Sequence, residues 1–275
     1  MARDKKKLKD SKLLGRRDFL KIGGATLTSA LISELVISGP LSAEAIRGIG
    51  QATHPGEASG EHEWHMGINL AKCIGCNYCV RACQAVNDVP EDEMQWNIVF
   101  PERTEGGVDF YMNRPCQHCT EAPCVKVCPV GATWVREDGL VVMDYDRCIG
   151  CRYCEVACPY AVRRFNWKKV EAVNPYHPTW GTPEIPRRER GVVEKCTFCE
   201  HRIERGLAQG LTPGIDSAAT PACVVRCPVN ARVFGDINDP ESPVSRFLRT
   251  YETFRLREDW GTEPKVHYIR PEKEG

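Results

Sequence analysis

Lys72-Cys73-Ile74-Gly75-Cys76-Asn77-Tyr78-Cys79 returns 75 residues later as Arg147-Cys148-Ile149-Gly150-Cys151-Arg152-Tyr153-Cys154. Each copy is closed by one more cysteine, Cys83 in the first and Cys158 in the second. Both read C-x2-C-x2-C-x3-C, the run that wraps an iron-sulfur cubane: two-residue gaps let one tight loop bring three thiolates to three corners of a cube. The fourth cysteine of such a run ligates the other cluster of a pair.

Two looser groups surround this repeat. Cys116, Cys119, Cys124 and Cys128 stretch the middle gap to four residues, and Cys196, Cys199, Cys223 and Cys227 open it to 23. Cys128, Cys158 and Cys227 are each followed by proline (Pro129, Pro159, Pro228), whose fixed φ and missing N–H turn the chain away from regular pairing. The 16 cysteines thus fall into four groups of four, which implies two ferredoxin-like units and four [4Fe-4S] clusters. An internal repeat of this length points to a duplicated unit. Structural zinc sites use two separated ligand pairs, a scheme with no place for a third cysteine two residues on. Disulfide scaffolds are short secreted chains with little core, whereas this one has 275 residues, 42% of them hydrophobic.

The N-terminus reads as an export signal. A lysine-rich stretch leads to Gly15-Arg16-Arg17-Asp18-Phe19-Leu20-Lys21, then a weakly apolar segment from Ile22 to Gly39 broken by Gly23, Gly24 and Glu34. This looks like a twin-arginine signal, with Gly15 where Ser or Thr is usual and Ala43-Glu44-Ala45 as the cleavage site, leaving a mature chain from Ile46. The alternative, retention as an uncleaved membrane anchor, is served poorly by so short and glycine-broken a segment, against the ~20 predominantly apolar residues that span a bilayer. Export in the folded state suits a chain whose clusters must be inserted in a reducing compartment. The expected location is periplasmic, on the outer face of the cytoplasmic membrane and peripheral to it, with membrane contact through a partner.

Residues 1–45 hold nine Lys/Arg and five Asp/Glu, so of the 37 basic and 37 acidic residues the mature part keeps 28 and 32, net −4. No basic patch with interleaved aromatics supports nucleic-acid binding. No phosphate-cradling glycine motif and no nucleophile–base pair supports an autonomous enzyme. After residue 46 the longest apolar run, Gly139-Leu140-Val141-Val142-Met143, is strand-sized.

Between the groups, Trp96 to Phe100 and Val108 to Met112 read as one hairpin, and Ala132 to Arg136 with Leu140 to Tyr145 as another. Residues 166–195, rich in proline and charge, read as a long surface excursion. The stretch Glu200 to Ala222 reads as a short helix and a loop that returns Cys223. Ser242-Pro243 starts a helix with Val244, Phe247, Leu248 and Tyr251 on a core-facing stripe. His118, inside the second group, is expected to hydrogen-bond or lie exposed, since four cysteines are already at hand. Lys72, Lys126, Arg147, Arg152, Lys195 and Arg226 either tune clusters or are solvated surface charges.

From Trp64 to Pro271 the chain resembles the four-cluster iron-sulfur subunits that serve molybdopterin oxidoreductases of the dimethyl sulfoxide reductase family. Glu194-Lys195-Cys196-Thr197-Phe198-Cys199 and Ala231-Arg232-Val233-Phe234-Gly235-Asp236, with Asp239-Pro240, carry the likeness besides the cysteines. Members with their own twin-arginine signal resemble those of polysulfide, tetrathionate, formate-dependent nitrite and sulfite-linked complexes. The resemblance implies an α+β fold of two dicluster units in tandem, the second inserted in the first. The segments would be 1–45 (signal), 46–113 (first half of unit one with a hairpin), 114–165 (unit two) and 166–275 (second half of unit one, surface loops and a C-terminal helix). It also implies the ligand sets. One cubane would take Cys73, Cys76, Cys79 and Cys227, and its partner Cys196, Cys199, Cys223 and Cys83. In unit two the sets would be Cys116, Cys119, Cys124 with Cys158, and Cys148, Cys151, Cys154 with Cys128. Finally it implies a non-catalytic electron-transfer subunit between a molybdopterin catalytic subunit or cytochrome and an integral membrane quinone-handling subunit. The alternatives are a free-standing periplasmic polyferredoxin and a partner of a multihaem cytochrome complex.

Overall fold

In the computed structural model the strand Trp64–Asn69 (β1) is central, and all six of its residues are buried. The description covers residues 60–90 and 94–271; the signal reading of 1–45 lies outside them. In chain order there follow a helix Tyr78–Val86 (α1), strands Ile98–Arg103 (β2) and Asp109–Arg114 (β3), a helical turn Pro123–Lys126 (α2), strands Thr133–Val135 (β4) and Val141–Met143 (β5), and a turn Tyr153–Val156 (α3). Then come short strands Arg164–Phe165 (β6) and Val193–Glu194 (β7), the helix Glu200–Ala208 (α4), the turn Ala222–Val225 (α5), strand Arg232–Asp236 (β8), helix Pro243–Thr250 (α6) and strand Val266–Ile269 (β9). All belong to one unit, His54–Gly275. The result is a mixed α/β structure with small sheets and short helices.

β1 pairs antiparallel with β8 and parallel with β9, so the order β8-β1-β9 joins the start of the described chain to its end. The helix α6 covers this sheet where Gly67 leaves room for the Phe247 ring. Ser242 caps that helix by accepting from the Ser245 N–H at 3.2 Å, with Pro243 in the first turn, where its missing N–H costs nothing. Val244 and Phe247 are core, as the stripe predicts, but Tyr251 lies past the helix end and is exposed.

Both hairpins form: Ile98 faces Arg114 and Arg103 faces Asp109 in β2-β3, and Thr133 faces Met143 in β4-β5. The excursion over 166–195 is less superficial than its composition implies. Asn174 and Arg188 are buried, and Arg188 donates to the Asn87 carbonyl at the end of α1 and, at 3.2 Å, to Glu194. Among the described residues no helix is long and apolar enough to cross a membrane.

Around the cysteines the helices are short and come in pairs. α1 packs on α5, which joins the first and fourth cysteine groups, and α2 contacts α3, which joins the second and third. α1 and α3 start from the repeat-equivalent residues Asn77 and Arg152, both left-handed (φ 60° and 64°) with no side-chain cap. The chain there has just rounded the loop that carries the first two cysteines of each run, and the third, Cys79 or Cys154, lies in the helix itself.

Candidate iron-sulfur centres

All 16 cysteines are free thiols, gathered as four sets. Cys73, Cys76, Cys79 and Cys227 line one cavity with Asn113 and Arg232. Cys116, Cys119, Cys124 and Cys158 line a second with Arg163. Cys128, Cys148, Cys151 and Cys154 line a third with Arg152 and Val193. Cys83 lies among Cys199, Cys196 and Cys223 as its thiol neighbours. In every set the fourth cysteine comes from a different cysteine group of the sequence.

The thiols ring voids instead of converging on points. Among the described residues no group of three or more His, Cys, Asp or Glu side chains is arranged to hold a single ion.

The Cys-Pro turns explain part of the geometry. Proline offers no N–H at the position after the cysteine, and the chain curls until the residue four places on can donate to the sulfur. Ala132 N–H donates to Cys128 Sγ and Ala231 N–H to Cys227 Sγ, each at 3.2 Å. The Val162 N–H stands in the same relation to Cys158. Side-chain amides add to these: Asn113 donates to Cys73 Sγ at 3.5 Å, and Asn87 to Cys83 at 3.5 Å and Cys199 at 3.7 Å. Hydrogen bonds to sulfur are among the levers that set cluster potentials.

Burial pushes the Cys119 and Cys223 thiols up to about 12 and raises Cys83 and Cys196 as well. Without iron these thiols are protonated at neutral pH. Loading a cluster must therefore release protons, and the metal supplies folding free energy that the chain lacks alone.

Gly75 and Gly150 occupy the same place in the repeat, at φ 70° and 65°, a conformation in which a side chain is strained. Their surroundings differ. A Cβ on Gly150 would stand 2.1 Å from the Gly191 carbonyl oxygen, which is backbone, while one on Gly75 would meet the Tyr111 ring at 2.4 Å, a side chain able to swing aside. Gly150→Ala is therefore expected to cost the chain a quarter of its iron, measured per chain after anaerobic purification, and Gly75→Ala much less. Full iron in Gly150→Ala would show that this close approach is not required.

His118 is wholly buried and bridges two cysteine groups. Its Nδ1 accepts from the Val141 N–H at 3.0 Å, so its Nε2–H donates to the Cys196 carbonyl at 3.1 Å, and Phe198 stacks on the ring at 3.9 Å. Burial and the neighbouring Lys195 hold its pKa well below the usual value, so the ring is neutral. The hydrogen-bonding role expected of it is the one it has.

Of the six cations singled out in the sequence, Lys72, Lys126, Arg147, Arg152 and Arg226 are exposed. Lys126 pairs with Glu121 at 2.6 Å, and Arg152 lies over the Phe165 and Trp167 rings. Lys195 is buried and donates to the Cys196 carbonyl at 2.8 Å. The cations closest to the thiols are two that sequence reasoning passed over. Arg163 donates to Cys124 Sγ at 3.2 Å, and Arg232, 3% exposed, lies among Cys79, Cys223 and Cys227. A signal for both was present: each stands five residues after a cysteine of a Cys-Pro turn, Cys158 and Cys227.

Comparison with known proteins agrees with this geometry. Two family models match, both described as 4Fe-4S dicluster domains, one over residues 108–174 and one over 72–132 and 147–231. Over 74% of its length the chain is 44% identical to a putative dimethyl sulfoxide reductase iron-sulfur subunit of Halobacterium salinarum, covering 78% of that protein. It is 39% identical to the iron-sulfur cluster-binding subunit of menaquinone reductase from Nitratidesulfovibrio vulgaris (75% of this chain, 88% of the other). To the iron-sulfur subunit of the arsenate respiratory reductase of a Shewanella species it is 38% identical (74% and 95%). Two dicluster domains account for four [4Fe-4S] clusters, and sixteen thiols in four sets are the donors such clusters need. The chain belongs to the 4Fe-4S dicluster family of ferredoxin-type iron-sulfur subunits.

Proposed function

We propose that the chain is the electron-relay subunit of a respiratory oxidoreductase, connecting an integral membrane quinone-handling subunit with a catalytic subunit, a molybdopterin protein. In this reading the four sets are the ligand sets: Cys73, Cys76, Cys79 with Cys227; Cys196, Cys199, Cys223 with Cys83; Cys116, Cys119, Cys124 with Cys158; Cys148, Cys151, Cys154 with Cys128. Unit two, 114–165, is inserted in unit one, which is split over 46–113 and 166–275. When bound, the clusters supply one-electron chemistry with no bond made or broken in the protein. The chain's own part is non-catalytic: it fixes the order of the sites, desolvates them and hydrogen-bonds the sulfurs.

The observation that carries the reading is the order of the sets. Cys196 and Cys116 are electrostatic neighbours, and the His118 bridge to the Cys196 carbonyl ties the same two groups together. The Cys196 and Cys116 sets are therefore inner, and the Cys73 and Cys148 sets lie at opposite ends of a row. The inner sets are buried but for Cys158, whereas Cys151 at one end is exposed. Both ends carry exposed apolar residues from the repeat, Ile74 (58%) and Tyr78 (42%) at one, Ile149 (63%), Tyr153 (62%) and Val156 (87%) at the other. A row of centres that reaches the surface at two apolar ends suits a subunit placed between two partners.

The relatives named above are subunits of reductases, one of them a menaquinone reductase, which supports this placement. Export by the twin-arginine signal of residues 1–45 would put the assembly on the outer face of the cytoplasmic membrane. The test is anaerobic affinity purification of the tagged full chain from detergent-solubilised membranes, with partners identified by mass spectrometry. A molybdopterin chain and a multi-span membrane chain are expected. A brown protein recovered alone would replace this reading with a free-standing polyferredoxin, and a multihaem cytochrome in place of the molybdopterin chain would correct the catalytic partner.

A further inference from the structure

Two buried guanidinium groups occupy equivalent places in the two units. Arg163 and Arg232 each follow the last cysteine of a Cys-Pro turn by five residues, and each opens into a short strand, β6 or β8. They are 1% and 3% exposed. Among the described residues no carboxylate lies at hydrogen-bond distance from either: Arg163 donates to Thr133 Oγ1 at 3.0 Å, Met143 Sδ at 3.0 Å and Cys124 Sγ at 3.2 Å. Arg232 donates to Asn97 Oδ1 at 2.7 Å, to Asn113 Oδ1, and toward Met66 Sδ at 3.7 Å.

Burying an arginine without a counter-charge is costly, so the compensating charge must come from elsewhere. The sulfurs supply it. Arg163 lines the Cys116 cavity and also faces Cys154, a member of the Cys148 set. Arg232 lines the Cys73 cavity and also faces Cys223, a member of the Cys196 set. Each arginine therefore lies between the two cysteine sets of one unit.

We propose that Arg163 and Arg232 are a duplicated pair of redox-setting residues, each placing one fixed positive charge between the two cluster sites of its unit and raising the reduction potential of both. The proposal rests on the ligand sets given under Proposed function. Reduction adds one electron to a cluster and makes it one unit more negative; the guanidinium, always protonated, takes up and gives up no proton. A fixed cation beside the site stabilises the more negative state, and it does so strongly where water is excluded. The Asn97, Asn113 and Thr133 oxygens hold the guanidinium in place without cancelling its charge.

The test is an EPR-monitored redox titration of the anaerobically purified full chain, with soluble mediators carrying electrons from an electrode. Each couple is assigned by its absence in a single Cys→Ala variant. Arg163→Gln is expected to lower the couples of the Cys116 and Cys148 sets by at least tenfold in their reduction equilibrium, about 59 mV for one electron, with iron content unchanged. Arg232→Gln should do the same to the Cys73 and Cys196 couples and spare the other unit. Arg→Lys at either place, which keeps the charge, should shift them by less than half as much. Unchanged potentials at full iron, or an equal shift of all four couples, would overturn the proposal. Should a Gln variant lose its clusters, the Lys variant decides: native potentials at full iron support the electrostatic role, and loss of iron despite the retained charge refutes it. Recovery of the chain without partners would defeat the respiratory reading and leave these shifts untouched.

Discussion

Cys158→Ala is expected to eliminate the same redox couple as Cys124→Ala, and a different one from Cys154→Ala. In sequence Cys158 closes the run that begins at Cys148, four residues after Cys154. In space it lines the cavity of Cys116, Cys119 and Cys124, while Cys128 has crossed to that of Cys148, Cys151 and Cys154. The exchange follows from the turns. A run of two-residue gaps bends around one cube and leaves its last cysteine pointing away from it, across α2 and α3 toward the neighbouring site. The following proline then carries the chain off. Losing one of four ligands removes a cubane or leaves a three-iron remnant with a distinct EPR signal, so each single variant deletes one identifiable couple and up to a quarter of the iron. Should Cys158→Ala and Cys154→Ala delete the same couple, the crossed allotment would be wrong and the runs would be self-contained.

That crossing marks the limit of what the sequence shows unaided. The loops around Cys73 and Cys148 are local: their two-residue gaps and their repeat can be read from eight residues. Both hairpins are equally local, their strands lying on either side of the turns Glu105-Gly106-Gly107 and Glu137-Asp138-Gly139. The central sheet is not. β1 alternates in sequence, with Trp64, Met66 and Ile68 set among His65, Gly67 and Asn69, yet is buried on both faces, and its partner strands β8 and β9 lie far along the chain; a pairing of that separation leaves no local pattern. Trp64 and His65 accordingly carry no assignment from the sequence, though Trp64 is among the largest fully buried side chains. Arg163 and Arg232 are hidden for a different reason. An arginine near a cysteine is ordinarily a solvated surface charge, and the five-residue spacing from a Cys-Pro turn sets these two apart from Arg152 or Arg226 only once their burial against sulfur gives it meaning.

Asp138→Ala is expected to destabilise the protein by about 3–5 kcal/mol, the cost of breaking a buried ion pair by removing one partner. Asp138 sits at the tip of the β4-β5 hairpin with its side chain 1% exposed, and Arg136, whose side chain is 5% exposed, donates to it at 2.7 and 3.1 Å. The carboxylate also accepts from Trp64 Nε1 at 3.1 Å and from the Leu140 N–H at 3.2 Å. It thereby ties the β4-β5 hairpin to the first strand of the central sheet. The alanine would orphan the indole and amide N–H groups, each worth about 1–3 kcal/mol when buried without a partner. Arg136 would keep only Glu204, which is half exposed, and this places the expected loss nearer the lower bound. Against a total of about 5–15 kcal/mol for a folded domain, the change is large. Asp138→Asn, which keeps one acceptor oxygen, should cost less. Anaerobic denaturant titration, followed by cluster bleaching and by tryptophan emission, measures both. Because the tie runs to Trp64, the emission should report the loss at the central sheet as well as at the hairpin. A midpoint for Asp138→Ala within about 0.5 kcal/mol of the parent, the range of ordinary surface substitutions, would mean that the sheet and the hairpin are held together by the clusters and their cysteines alone.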